Sequence, residues 1–159
     1  MKKIIIYYSY TGNTKKVAQY IKNKLHCDLL ELEPKIPYSD DYDIVVNQGQ
    51  DEVNTEYTPL IKDIEINLKD YDEIILGSPI WWYTFAPVVR TFLNDYDLKD
   101  KKIYPFLTNG GYGLGHSIKD MKELTDDAII MKALDIPFEN DEMQIDESII
   151  DKWLKEMEE

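Results

Sequence analysis

One cysteine, two histidines and seven glycines are all that this 159-residue chain holds of those types, and each scarcity closes off a class of protein. A single thiol, Cys27, has no partner within the chain, so the disulfide framework of small secreted domains is excluded. Its surroundings read as those of a small buried apolar residue. Spaced His and Cys ligands are missing, and the acidic run Glu139 to Glu147 lacks the Asp-x-Asp-x-Asp-Gly order of a calcium loop. That run reads as a solvated acidic face. Basic side chains are also short in supply, 18 against 31 acidic ones, for a net charge of −13 and a pI near 4.5. Such a surface repels nucleic acid; it reads equally as plain solubility or as attraction to basic protein faces that weakens with salt. No apolar stretch is long enough to span a membrane, and Met1-Lys2-Lys3 runs directly into Ile4 to Tyr8 without a signal-peptide body or cleavage site. A cytoplasmic protein is expected.

What is present is a core. Hydrophobic residues make up 43% of the chain and charged residues 31%, the profile of a folded globular protein, and the length suits one domain over residues 1–159. Ile4 to Tyr8 has no polar alternation, as expected of a strand buried on both faces of a parallel sheet. From Thr14 the period becomes helical, with Val17, Ala18, Ile21 and Leu25 on one face. Further strands are expected at Leu29 to Leu32, Glu73 to Gly77, Ile103 to Leu107 and Ala128 to Ala133. Helices are expected near Pro87 to Asn94, Ser117 to Leu124 and Ser148 to Met157, with a short acidic one over Tyr42 to Val53 inside the irregular stretch Pro34 to Leu68. Five strands alternating with helices predict an α/β doubly wound sheet of five parallel strands, order 2-1-3-4-5, with helices on both faces.

In such a sheet ligands bind beyond the carboxyl ends of the strands, where three unusual segments meet. Ser9-Tyr10-Thr11-Gly12-Asn13-Thr14 joins the first strand to a helix start, whose free N–H groups and dipole favour an anion. The segment lacks the Gly-x-x-x-x-Gly-Lys-Ser/Thr spacing that holds a triphosphate and magnesium, so a monophosphate ester suits it; a plain Ser/Thr cap on a helix is the ordinary alternative. Gly77-Ser78-Pro79-Ile80-Trp81-Trp82-Tyr83 follows the third strand and puts three large rings on a loop expected to face solvent, where at least one would cover a flat ligand and the others pack beneath the next helix. Thr108-Asn109-Gly110-Gly111-Tyr112-Gly113-Leu114-Gly115-His116 gathers four of the seven glycines after the fourth strand, letting backbone approach a ligand closely. His116 itself reads as a solvent histidine or helix cap.

Ser9-x-Thr11-Gly12-x-Thr14 after a buried strand resembles the FMN phosphate loop of flavodoxins at every defining position. The second segment, followed by Ala86-Pro87 and the glycine-rich stretch, looks like a bacterial flavodoxin-like family, and together these likenesses cover nearly the whole chain. The resemblance implies non-covalent FMN. Ser9, Thr11, Asn13 and Thr14 would bind its phosphate with backbone help from Tyr10 and Gly12, while Pro79, Ile80, Trp81, Trp82 and Tyr83 with Thr108, Asn109, Gly110, Gly111, Tyr112 and Gly113 would border the isoalloxazine. One departure matters: familiar short-chain flavodoxins have a glycine in the second loop whose peptide flips toward flavin N5, where this chain reads Ile80-Trp81-Trp82-Tyr83. Bulky residues resist positive φ, which turns attention to two-electron chemistry. The implied function is electron carriage to redox partner proteins with basic faces. The alternative is an FMN-dependent NAD(P)H:quinone-type oxidoreductase acting on a small quinone-like acceptor, and a flavin-free binding domain of the same fold is a third reading. Redox partner, electron donor and oligomeric state stay open at this point.

Overall fold

A computed structural model describes residues 2–158. The run of β-branched and aromatic residues at the start forms β1 (Lys3–Tyr7), and period-two alternation divides its side chains between two cores. Ile4, Ile6 and Tyr8 face one cluster with Ile74, Leu76, Val89, Phe92 and Met121. Ile5 and Tyr7 face the other, with Val17, Ile21, Phe106, Ile150 and Trp153. Between these layers lie β2 (Asp28–Glu31), β3 (Glu73–Trp81), β5 (Lys102–Asn109) and β7 (Leu134–Glu139). The five run parallel in the order β2-β1-β3-β5-β7, which is the expected 2-1-3-4-5. The short strands β4 (Thr84–Phe85), β6 (Ile129–Ile130) and β8 (Glu142–Met143) attach to β3, β5 and β7 respectively.

The helices are α1 (Asn13–Leu25), α2 (Tyr42–Asn54), α3 (Pro87–Asp95), α4 (Ser117–Leu124) and α5 (Glu147–Glu156). Residues of α1 and α5 cover one face of the sheet, and those of α3 and α4 the other, where Val45 of α2 joins the same cluster. Three of them start for a local reason. Asp41 caps α2 by accepting from Asp43 N and Ile44 N at 3.0 and 3.3 Å, Asp146 caps α5 by accepting from Ser148 N at 2.9 Å, and α3 opens on Pro87, pre-set for a first turn.

Three expectations are corrected. The third strand does not stop at Gly77 but continues to Trp81, because its last residues gain a second partner: β4 turns back antiparallel, pairing Ile80 with Phe85 and Trp81 with Thr84. The fifth strand is not Ala128 to Ala133. Of that run only Ile129–Ile130 pairs, and only with the beginning of β5, while Leu134–Glu139 runs beside Phe106–Asn109. Leu134, Ile136 and Phe138 are buried and alternate with exposed Asp135 and Glu139, the pattern of a half-covered strand rather than a fully buried one. Cys27 is half-buried instead of buried, and desolvation pushes its thiol pKa up. No helix among the described residues is long and apolar enough to cross a membrane.

Candidate functional site

The carboxyl ends of β1, β3 and β5 open into a cavity of about 530 Å³. Nine residues singled out from the sequence line it: Tyr10 and Thr11 from the first segment, Ile80, Trp81, Trp82 and Tyr83 from the second, and Asn109, Gly110 and Tyr112 from the third. The other eight, Ser9, Gly12, Asn13, Thr14, Pro79, Thr108, Gly111 and Gly113, lie in the same three segments but outside the cavity wall.

The first segment is organised from inside. Ser9 Oγ accepts from Gly12 N and Lys15 N, both at 3.2 Å, so a serine placed three residues ahead of Gly12 does the work of a helix cap. Gly12 sits at φ 102, a left-handed conformation that glycine adopts without penalty. The first-turn N–H groups of α1 have no intrahelical acceptors, and that of Lys15 is taken by Ser9 Oγ. Thr14 is buried, its Oγ1 2.8 Å from Thr108 Oγ1, so these two hydroxyls tie the first segment to the third. Asn13 Nδ2 reaches Asp141 Oδ1 at 3.4 Å, while Asn13 Oδ1 is buried with no partner. No lysine or arginine belongs to the segment, so its donors are neutral N–H and O–H groups.

The second segment closes as a two-residue hairpin. Trp82 and Tyr83 have φ 51 and 71, the pair of positive values that a type I′ turn demands and that matches the twist of its strands. Bulky residues therefore do adopt positive φ here, against expectation, at a cost on the order of 1–3 kcal/mol each. Neighbours hold them there: His116 N donates to Tyr83 O at 2.7 Å, Thr84 Oγ1 donates to Asp120 Oδ2 at 2.7 Å, and His116 Nδ1 lies 2.5 Å from the same carboxylate oxygen. His116 stands at the start of α4 without a side-chain cap bond. Trp81 is half-buried and meets Tyr38, Tyr10 and Tyr8 edge-on, with ring centroids 5.0, 5.8 and 5.9 Å away. Trp82 is exposed and donates Nε1–H to Val46 O at 3.1 Å.

In the third segment Asn109 acts as an internal scaffold. Its Oδ1 accepts from Gly111 N at 2.9 Å and Gly113 N at 3.3 Å, and its Nδ2 donates to Asp135 at 2.6 Å. The loop curls around one carboxamide and leaves Tyr112, 85% exposed, standing at the cavity mouth.

Four lining residues escaped sequence reasoning: Tyr42, Val45, Val46 and Gly49 of α2. Their spacing, i, i+3, i+4 and i+7, is one helix face, and a Cβ on Gly49 would stand 3.2 Å from Trp81 Cε3. The stripe was a usable signal, but a stripe facing a cavity looks the same as one facing a core. Asp40 and Asp41, just ahead of α2, bring negative charge to this rim: the Tyr10 phenol pKa is raised by desolvation first and then by these two carboxylates.

The site thus offers a neutral, N–H-rich loop at a helix start beside a cleft walled by aromatic and aliphatic side chains, an arrangement suited to a flat ring bearing a phosphoester tail. Comparison with known proteins agrees. The chain is similar over 97% of its length to a Bacteroides eggerthii protein of known crystal structure, with 28% identity, 96% of that chain covered and a TM-score of 0.83. It is also similar to a Lactobacillus acidophilus flavoprotein crystallised in complex with FMN, at 24% identity, 96% and 98% coverage and a TM-score of 0.75. An oxidised flavodoxin 2 from Bacillus cereus shares the fold at 22% identity, 94% and 91% coverage and a TM-score of 0.56. None of the curated proteins matches. The model of the family described as Flavodoxin matches residues 2–157, and the chain belongs to that family.

Proposed function

We propose that this protein binds one FMN non-covalently and carries electrons between redox partners. The observation that carries the reading is the convergence of a cation-free phosphate-type loop and an aromatic-walled cleft at the switch point of a 2-1-3-4-5 sheet. The residues fit the group. Thr11, with the N–H groups of the loop and of the first turn of α1 that Ser9 Oγ does not take up, supplies donors to a phosphate. Ser9 shapes that loop, and Thr14 and Thr108 brace it. Trp81, Trp82, Tyr10 and Tyr112 present rings against which a planar heterocycle packs, while Ile80, Tyr83 and Gly110 complete the wall. FMN when bound supplies the electron chemistry; the protein supplies affinity, orientation and field. Asp40 and Asp41 at the rim make the mouth negative, which favours docking of partners with basic faces.

A second reading, an FMN-dependent reductase of quinone-like molecules, draws on the second segment. The turn is built from Trp82 and Tyr83 and fastened through Tyr83 O to His116 N, so it lacks the freely flipping glycine of one-electron carriers. An anaerobic redox titration of the FMN-loaded protein tests both. A large population intermediate between oxidised and fully reduced flavin supports the carrier, direct two-electron reduction supports the reductase, and absence of FMN binding defeats both.

A further inference from the structure

Behind the cleft lies a group of buried polar side chains that cofactor binding does not use. Tyr38 is 9% exposed and Glu52 8%, and Tyr38 Oη donates to Glu52 Oε1 at 2.6 Å. The other carboxylate oxygen accepts from Gln48 Nε2 at 2.8 Å. Among the described residues no lysine, arginine or histidine pairs with Glu52. The carboxylate is therefore held by two neutral donors, and protonating it would break no ion pair. The Tyr38 ring lies 5.0 Å from that of Trp81, the half-buried indole in the cavity wall.

We propose that Trp81, Tyr38 and Glu52 form a proton-coupled electron relay: a one-electron hole on the Trp81 indole is filled by Tyr38 while the phenolic proton passes to Glu52. The hole arises when a one-electron oxidant of the free-radical class reaches the cavity wall and takes an electron from the indole. One electron then moves from Tyr38 to Trp81, the Tyr38 O–H bond breaks and an O–H bond forms on Glu52. The products are an intact indole, a neutral phenoxyl group and a neutral carboxylic acid. The step cancels the positive charge on the indole against the negative charge on the carboxylate, which a low-dielectric interior favours.

The neighbouring phenols supply the control. A phenol at neutral pH gives up an electron readily only if its proton leaves with it, so a tyrosine donor needs a base in hydrogen-bond contact. Three tyrosines surround Trp81 at comparable distances. Tyr10 donates its hydroxyl to the backbone oxygen of Ser39, a poor base, and the Tyr8 hydroxyl has no hydrogen-bond partner among the described residues. Only Tyr38 is paired with a carboxylate. Desolvation, followed by the hydrogen bond to Glu52, drives its pKa far up, so the phenol holds its proton until oxidation releases it.

Pulse radiolysis of the full-length protein in azide solution tests the relay, with the azidyl radical as the indole oxidant. The expected result is a fast decay of indolyl absorption matched by growth of phenoxyl absorption, independent of protein concentration and slowed in D2O. Trp81→Phe should abolish the fast phase, and Tyr38→Phe and Glu52→Gln should each slow it about ten-fold or more, whereas Tyr8→Phe should leave it in place. Circular dichroism of each variant checks the fold. An unchanged fast phase in folded Tyr38→Phe or Glu52→Gln, its loss in folded Tyr8→Phe, or the absence of a solvent isotope effect in the wild-type protein overturns the proposal. Since no outcome depends on FMN, the relay stands or falls separately from the cofactor reading.

Discussion

At Gly115 a side chain has nowhere to go: a Cβ there would stand 2.0 Å from Tyr83 O, and φ is 56. This glycine lets the third segment press against the hairpin turn of the second, so Gly115→Ala should displace that turn. A stability loss of roughly 1–3 kcal/mol and weaker FMN binding are expected, read by thermal unfolding and fluorescence titration. Thr11→Asp should weaken FMN binding at least about ten-fold, since like charges a few ångströms apart cost roughly 1–4 kcal/mol near a protein surface; unchanged affinity would remove Thr11 from the site. Trp82→Ala should lower FMN affinity while barely shifting the unfolding midpoint, because the ring is 38% exposed and its one hydrogen bond is to Val46 O. Equal affinity in wild type and variant would show that Trp82 does not cover the ring. At this scale residue chemistry was readable from the sequence, but division of labour was not. Ser9, Thr14, Thr108 and Asn109 suggested ligand contacts, yet each spends its side chain on another protein group, a choice made only when strands bring distant residues together.

Among the elements, α2 separates stability from binding. Asp41 caps α2 and Asp146 caps α5 through the same kind of bond, so Asp41→Ala and Asp146→Ala should each cost about 0.5–2 kcal/mol in chemical denaturation. Only α2 walls the cavity, so only Asp41→Ala should also reduce FMN affinity; a matching loss in Asp146→Ala would mean that affinity merely follows global stability. The helix over Tyr42 to Val53 was legible in the sequence, but not the direction of its Tyr42-Val45-Val46-Gly49 face, because local periodicity fixes which residues align and not what they meet. Likewise Ala128 to Ala133 looked the better strand because Ala128 to Met131 are four apolar residues in a row. Leu134 to Glu139 prevailed because its alternation suits a partly covered edge and its register fits the end of β5.

For the molecule as a whole, tyrosines set an alkaline limit. The Tyr71 hydroxyl donates to Asp28 Oδ2 at 2.5 Å and its pKa is raised to about 12, by that bond first and desolvation second. The Tyr20 hydroxyl donates to Asp151 at 2.7 Å and is likewise raised to about 12. Burial pushes Tyr7, Tyr8 and Tyr38 higher still. The unfolded chain releases these protons at ordinary tyrosine values near 10, so it binds fewer protons than the folded chain above that pH. Stability is therefore full below about pH 10 and falls as pH rises toward 12 and beyond. Urea midpoints measured from pH 8 to 12 should decline across this window, with the decline reduced in Tyr71→Phe; a flat profile would mean that folding does not raise these phenol pKa values.

The sequence by itself determined four of the five parallel strands, the order of the sheet and the three segments at the carboxyl ends, because buried runs, helical periods and turn residues are local signals that need no partner to be read. It also carried the charge deficit and the absence of lysine and arginine from Ser9 to Thr14. Only the tertiary structure decided that α2 forms a cavity wall, that Trp82 and Tyr83 take left-handed backbone, and that Tyr38 rests on Glu52 behind Trp81. Those outcomes depend on crossover connections that join residues far apart in the chain, where the energy of a contact outweighs the preference of any residue alone.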